Sequence, residues 1–180
     1  TKGWTLLNDD VTSKLGGSFY TASGGNATIT SGDYKTHVFT ADGNFTITAV
    51  GSGPTAQSAL EYMVVAGGGA SGCADAGSAY ASGGGGAGGF RSFVCGSPLP
   101  INAPAGLTLS AATYPITVGG GGSFPGTTGS NSVFSTITST GGGQGGFDPA
   151  NPAPNNGTGL HGGSGGGGGA QGGASGGTGN

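Results

Sequence analysis

Two histidines are the residues of this chain whose type most readily carries out acid–base or metal chemistry. His37 and His161 are the only histidines, and neither has a cysteine, histidine or carboxylate neighbour at metal-ligand spacing. We therefore interpret His37 as a surface residue of a strand and His161 as a loop residue. A Ser-His-Asp triad assembles from distant positions, so the sequence leaves it open, but no nucleophile-elbow motif supports one.

A glycine pattern and a few carboxylates are the remaining candidates for chemistry. Gly83, Gly85 and Gly88 fit the dinucleotide-binding pattern G-x-G-x-x-G, but no strand leads into them and no helix follows. The acidic pair at 9–10 and Asp148 lack the spacing of a calcium loop, so we interpret them as solvated turn carboxylates. We predict a protein that is not an enzyme and that holds no metal or cofactor.

The chain has two cysteines, Cys73 and Cys95, which flank the glycine run 83–89. In an extracellular setting a disulfide between them would close a loop and stabilise the fold by about 3 kcal/mol. The alternative is two unpaired thiols. The sequence leaves both open.

The composition limits the classes of function. Glycine accounts for 47 of 180 residues and proline for 9, a bias typical of low complexity, but 8 Phe and 5 Tyr indicate an ordered chain. Only 6% of residues are charged, and 4 Lys and Arg residues are too few to track a phosphate backbone. We therefore expect no nucleic-acid binding. No apolar stretch reaches the length of a membrane span, so we expect no membrane insertion. Because the chain begins at Thr1, we expect a processed chain or a fragment.

The first part of the chain has the pattern of a small antiparallel β-structure. An Asp-Gly turn at 42–43 separates two β-rich stretches within 38–48, which predicts a hairpin. Phe45, Ile47 and Ala49 fall on one face of its second strand. The segment 51–54 is rich in glycine and proline and predicts a boundary. We predict a β-lobe over 1–53 and a glycine-rich domain over 54–180, and no helix of ordinary length.

The glycine-rich part repeats a unit loosely: a β-branched strand such as 62–65, a glycine run, and then a variable segment. Polyproline II chains have three residues per turn, and only glycine lets them pack so closely that their amides bond to one another. Collagen is excluded because strict Gly-X-Y periodicity is absent. We predict a mostly β fold whose glycine-rich lobe combines short strands with polyproline II, polyglycine II-like packing. Packed glycine runs would bring the variable segments out together at the ends of the lattice; these segments are 73–81, 92–112, 123–130 and 147–159.

Four blocks of this part, with the hairpin before them, resemble a known domain in sequence and order. The blocks 61–69, 83–91, 114–122 and 130–143 resemble the glycine-rich domain of bacteriophage and marine viral tail-fibre proteins. The resemblance covers residues 34–180. The chain is also similar in design to the glycine-rich adhesins at the tips of T-even-like long tail fibres, in which stacked polyglycine II helices present variable loops to a host receptor. It departs from them in its short, irregular runs and its front β-lobe.

The resemblance implies an extracellular virion protein of the tail that attaches without covalent chemistry to a host cell-surface glycan or outer-membrane protein. Other virion tail proteins would be partners, and a homo-oligomer, by analogy a trimer, would be its state. Aromatic residues beside the glycine runs would either cap the lattice as a thin core or stack on sugars. The candidate receptor-binding residues are Tyr80, Phe124, Phe147, Asp148, Asn151 and Asn155.

Two other classes of function compete with the adhesin. One is a purely structural subunit of a virion fibre or extracellular filament, whose strands and glycine runs would complete each other between chains and whose monomer would leave unpaired edges. The other is an ice-binding or silk-like protein, against which the lack of a regular Gly-X-X repeat argues.

Overall fold

The computed structural model describes residues 20–32, 34–50, 60–73, 81–94, 106–148, 157–170 and 174–180. Nine strands and no helix occur in these ranges, which confirms the predicted β class. The strands are β1 (Thr21–Ser23), β2 (Ala27–Ser31), β3 (Tyr34–Val38), β4 (Gly43–Ala49), β5 (Tyr62–Val65), β6 (Phe90–Phe93), β7 (Thr113–Thr117), β8 (Ser132–Phe134) and β9 (Ile137–Ser139).

Five strands form one antiparallel sheet in the order β1-β4-β7-β8-β9. Its buried core consists of Phe45, Ile47 and Leu109. The ring of Phe45 meets the rings of Phe39 and Phe134 edge-on, at centroid distances of 6.3 and 5.8 Å. Burying each such side chain contributes about 1.5–3 kcal/mol. The predicted inward face of β4 is thus confirmed for Phe45 and Ile47, whereas Ala49 is exposed.

The predicted hairpin across the Asp42–Gly43 turn is wrong in its pairing. The second predicted strand exists as β4, which pairs with β1 and β7, whereas the first predicted stretch shares only Val38 with β3, and β3 pairs with β2. The Asp42 carboxylate accepts a hydrogen bond of 2.8 Å from the backbone N–H of Val118, which follows β7. Asp42 therefore links the start of β4 to the end of β7, which lies far along the chain, and not to β3, its neighbour in sequence.

Two further strand pairs lie outside the main sheet. β2 and β3 form a two-stranded antiparallel ribbon, here named the arm (residues 27–38). β5 and β6 form a second pair, in which Tyr62 is buried and its ring stacks on Phe93 at 6.2 Å. Burial raises the pKa of the Tyr62 phenol. The predicted strand at 62–65 is confirmed as β5.

Eight glycine-rich segments, four between the strands and four after β9, pack side by side into what we name the glycine lattice. Hydrogen bonds between them recur at every third residue, the repeat of a polyproline II chain. Segments I and II, for example, run antiparallel and are joined by amide-to-carbonyl bonds of 3.0, 2.8 and 2.9 Å: Ala66 to Gly89, Gly69 to Gly86, and Gly72 to Gly83. The segments are I (66–73), II (81–89), III (119–122), IV (127–130), V (140–148), VI (157–163), VII (164–170) and VIII (174–180).

Segment V lies at the centre of the lattice. Its residues 141–148 are all buried, and its backbone bonds to segments I, II, IV, VI and VII. Such packing requires glycine, because a Cβ built at Gly143 or Gly145 would collide with the carbonyl of Leu160 or Gly83. The interior of the lattice is therefore mostly backbone, and segment V carries its buried side chains at Gln144, Phe147 and Asp148.

The main sheet contains strands from both sides of the predicted boundary at residue 53. β1 and β4 come from the predicted front lobe, and β7, β8 and β9 from the glycine-rich part. Residues 51–59 lie outside the described ranges, and the division into 1–53 and 54–180 stays a prediction.

Candidate functional site

The ends of the glycine segments define two ends of the lattice. The amide of Asp148 donates to the carbonyl of Cys73 at 3.0 Å, and that of Ala170 to the carbonyl of Ala81 at 2.8 Å. The amide of Gly169 donates to the carbonyl of Gly157 at 2.7 Å. These six residues therefore lie at one end, which we name the loop end. At the opposite end, the strand end, the segments continue into β5, β6, β7, β8 and β9.

The turn between segments III and IV also projects at the loop end. Segment IV runs antiparallel to segment I, since Gly67 donates to Ser130 at 3.1 Å and Ala70 to Thr127 at 2.9 Å. The start of segment IV, Thr127, therefore lies toward the end of segment I, which is Cys73 at the loop end. The turn at 123–126 comes directly before Thr127 and so lies at the loop end as well. The amide of Ser123 closes it by donating to Thr127 Oγ1 at 2.8 Å.

Four connections between consecutive segments thus start and finish at the loop end. They are 74–80, 123–126, 149–156 and 171–173. The described residues that flank these connections lie together at the loop end, whereas 92–112 begins in β6 at the strand end. Residues 74–80 and 149–156 lie outside the described ranges, so the emergence of the variable segments there stays a prediction. Because a Cβ has no room at most glycines of the lattice, variable side chains fit mainly at such ends. Loops on a rigid scaffold are the usual place of recognition.

Among the candidate receptor-binding residues, Phe124 is presented to solvent. Its side chain is 73% exposed and lies in the turn at 123–126. Tyr80, Asn151 and Asn155 belong to connections of the loop end but lie outside the described residues, so their roles stay predictions.

The prediction that Phe147 and Asp148 contact a receptor is wrong, because both are buried at the base of the loop end. Phe147 is 6% and Asp148 0% exposed. Both belong to segment V, whose central position in the lattice leaves no side open to solvent. Phe147 packs its ring edge against Gly126, where a built Cβ would lie 2.7 Å from Phe147 Cζ. Of the two roles predicted for these aromatics, Phe147 therefore takes that of capping the lattice.

Gln144 is a neighbour of Phe147 that the sequence analysis did not single out. With three residues per turn, Gln144 and Phe147 share one face of segment V, and both reach Gly126. The Gln144 side chain is buried, and its Nε2 atom has no hydrogen-bond partner. The sequence does contain a signal for this pair, because Gln144 and Phe147 are large side chains three residues apart within a glycine run.

Only one of the two cysteines, Cys73, belongs to the described residues. Cys73 ends segment I at the loop end and is half-buried. Cys95 lies outside the described residues, so its pairing with Cys73 stays a prediction. The residue before it, Val94, follows Phe93, which pairs with Tyr62 at the strand end. Segment I alone separates these ends by about 22 Å, seven residues at about 3.1 Å each.

The two histidines lie in separate parts of the described chain. His37 lies in β3, as predicted, and its Nδ1 is 2.7 Å from the carbonyl oxygen of Gly24. His161 is exposed, lies outside the strands, and accepts a hydrogen bond of 2.8 Å from the amide of Thr178. The described residues contain no group of three or more His, Cys, Asp or Glu side chains placed to hold a metal. They also contain no helix with the length and apolar character of a membrane span.

A family model described as a glycine-rich domain matches residues 40–180, which is most of the chain. No curated protein matches the chain, and no solved structure does.

Proposed function

We propose that this chain, which belongs to the glycine-rich domain family, is a structural protein of a bacteriophage tail fibre or tail tip that attaches the particle to a host cell. The observation that carries the proposal is the single loop end of the glycine lattice. Four connections leave from it, and a solvent-exposed aromatic side chain, Phe124, stands among them. A rigid scaffold that gathers variable loops on one end is suited to recognising a surface.

The binding chemistry we propose is non-covalent contact with a cell-surface glycan or outer-membrane protein. Exposed aromatic rings such as Phe124 offer large, rigid contact area with little loss of side-chain entropy. Single contacts of this kind are weak, and several copies on one particle would gain strength through multivalency. The extracellular tail of the virion is the place where such a protein would act, beside other tail proteins.

The test is binding of the purified, fluorescently labelled full-length chain to cells of a panel of bacterial strains, measured by flow cytometry. We expect saturable binding to at least one strain. Replacing 74–80 or 149–156 by a glycine–serine linker of equal length should reduce it at least tenfold. The matched control replaces 95–105, which follows β6 at the strand end, and should bind as the natural chain does.

A point variant refines the same test. Phe124→Ala removes an exposed ring without touching the lattice, so thermal unfolding should be unchanged. A loss of cell binding in this variant would place Phe124 in the contact surface. Binding that survives replacement of both loops, or that depends on 95–105, would overturn the proposal.

A purely structural subunit of a fibre or filament is the second candidate. It is favoured by apolar side chains that remain exposed on two-stranded elements, among them Tyr34, Met63 and Val65. Assembly into fibres without binding to any strain of the panel would support it over the adhesin.

A further inference from the structure

Segment VIII is held at the surface of the glycine lattice by few contacts. None of its residues is buried, whereas residues 141–148 of segment V all are. Within the described ranges its backbone bonds to segments VI and VII, through the amide-to-carbonyl pairs Gly159 to Ser175, Gly162 to Thr178, Gly177 to Gly166 and Asn180 to Gly162. Ordering a residue costs about as much free energy as one backbone hydrogen bond returns. Segment VIII therefore depends on any side chain that adds a further bond.

The His161 side chain supplies such a bond. Its Nδ1 atom accepts a hydrogen bond of 2.8 Å from the backbone amide of Thr178, and the Thr178 hydroxyl lies 2.6 Å from the same atom. A backbone N–H can only donate, so Nδ1 must present its lone pair, and the ring is neutral with its proton on Nε2. Segment VIII is thus fastened to segment VI through a neutral imidazole.

Protonation of His161 is incompatible with this bond. A proton on Nδ1 would point at the amide proton of Thr178, and two donors cannot bond to each other. The Thr178 hydroxyl can turn and accept from the ring, but the backbone amide cannot. An imidazole in water takes up a proton at about pH 6.5, so mild acid is enough to break this contact.

We propose that His161 is an acid-sensitive clasp: the neutral ring holds segment VIII on the lattice, and the protonated ring releases it. The closed state requires the neutral ring, whereas the open state leaves the ring in solvent, where it binds a proton freely. The stability of the closed state is therefore complete above about pH 7 and is lost as the pH falls through about 6.5. Opening exposes the amides of Gly159 and Gly162 and the carbonyl of Gly166 to another hydrogen-bonding partner.

Few charged groups lie on the elements that border segment VI. In the described residues of segments II, V, VII and VIII the one carboxylate is Asp148, which is buried at the loop end, whereas His161 lies toward the strand end. Segment II approaches segment VI at Gly163 and continues into β6, where the guanidinium of Arg91 donates to the carbonyl of Phe90. Arg91 keeps its charge at every pH considered. On these elements, no described carboxylate lies beside His161 to favour its charged form.

His37 makes the opposite kind of bond and so provides an internal comparison. Its Nδ1 lies 2.7 Å from the carbonyl oxygen of Gly24, and a carbonyl can only accept. The His37 ring therefore donates, and it still donates when it is protonated. Acid should leave the arm in place while it releases segment VIII.

The test is amide hydrogen exchange of the ¹⁵N-labelled full-length chain, followed by NMR at about pH 7.5 and about pH 5. Each rate is divided by that of an unstructured chain at the same pH, which gives the opening constant of the amide. For the amides of Gly162, Gly177 and Thr178 we expect this constant to rise about five- to thirtyfold at the lower pH; the upper limit is the proton uptake of a free imidazole. The amide of Gly143 in segment V is the reference and should change less than about twofold.

Three variants assign the response to His161. His161→Asn places an amide oxygen near the position of Nδ1, and this oxygen accepts a hydrogen bond but does not titrate, so segment VIII should open equally at both pH values. His161→Phe keeps a ring and removes the acceptor, and it should show at pH 7.5 the opening that the natural chain shows at pH 5. His37→Asn is the control and should retain the natural response of segment VIII.

The outcomes that contradict the clasp are distinct. Equal opening of segment VIII in the natural chain at the two pH values, or a pH response that persists in His161→Asn, would overturn the proposal. A His161→Phe variant whose segment VIII stays closed at pH 7.5 would do the same. A rise shared by the amide of Gly143 would show acid unfolding of the whole lattice and would also overturn it.

Discussion

The strand core and the glycine lattice are both buried, but different material fills them. In the strand core the interior consists of side chains, with Phe45, Ile47 and Leu109 enclosed by aromatic neighbours. In segment V eight consecutive residues are buried, and five of them are glycine. The first interior is held by apolar burial, and the second by hydrogen bonds between backbones.

The comparison shows two ways in which a chain offsets its conformational entropy. Ordering a residue costs about 1–2 kcal/mol, while one backbone hydrogen bond contributes a net of about 0.5–1.5 kcal/mol. A glycine segment with one neighbour is therefore not stable alone, whereas segment V has five neighbours. The strand core should be damaged by removing atoms, and the lattice by adding them.

The largest effect is expected for adding one methyl group to segment V. In Gly145→Ala the new Cβ would collide with the carbonyl of Gly83, and backbone on both sides leaves no room to yield. We expect the free energy of unfolding to fall by at least about 4 kcal/mol, which lowers the melting temperature by about 8–16 °C for a chain of this size. Circular dichroism on heating measures it.

The control for that variant is the same substitution at the lattice surface. A Cβ at Gly84 meets nothing within 4 Å, and its φ is not in the left-handed region. Gly84→Ala should therefore stabilise the fold by about 0.4–1 kcal/mol, because alanine lowers the conformational entropy of the unfolded chain. Equal melting temperatures for the two variants would refute a backbone-filled interior.

Removing atoms from the strand core should have the next largest effect. Ile47 is 2% exposed, and Ile47→Ala should lower the free energy of unfolding by about 2–5 kcal/mol because the cavity does not fully collapse. Val50→Ala is the control, since Val50 is 45% exposed and its truncation should cost less than about 0.5 kcal/mol. Urea unfolding measures both. Similar midpoints would contradict a side-chain core at β4.

A smaller effect of opposite sign is expected at Gln144. Its buried Nε2 has no partner, and leaving such a donor unsatisfied costs about 1–3 kcal/mol. Gln144→Met keeps the shape of the side chain and removes the donor, so we expect the free energy of unfolding, measured in urea, to rise by about 1 kcal/mol. Gln144→Glu, which buries a charge at the same position, should instead destabilise. A lower free energy of unfolding in the methionine variant would indicate that the Gln144 amide has a partner, such as an ordered water.

Local pattern was enough to predict the β class and the strand at 62–65. The pairing of β4 was not predictable in the same way. Alternation specifies which face of a strand is buried but not which strand lies beside it, and the Asp-Gly signal at 42–43 favoured the adjacent stretch. β4 instead pairs with β1 and with β7, which begins at Thr113, and the hydrogen bond from Val118 to Asp42 is a contact that no local pattern contains.

The position of Phe147 shows a similar limit at the candidate site. Its place beside a glycine run was compatible with capping the lattice or with facing a ligand, and only the number of segments around segment V decides between them. Phe124, beside segment III at the edge, is exposed, whereas Phe147 at the centre is buried. The sequence contains the three-residue period but not the register of one segment against another.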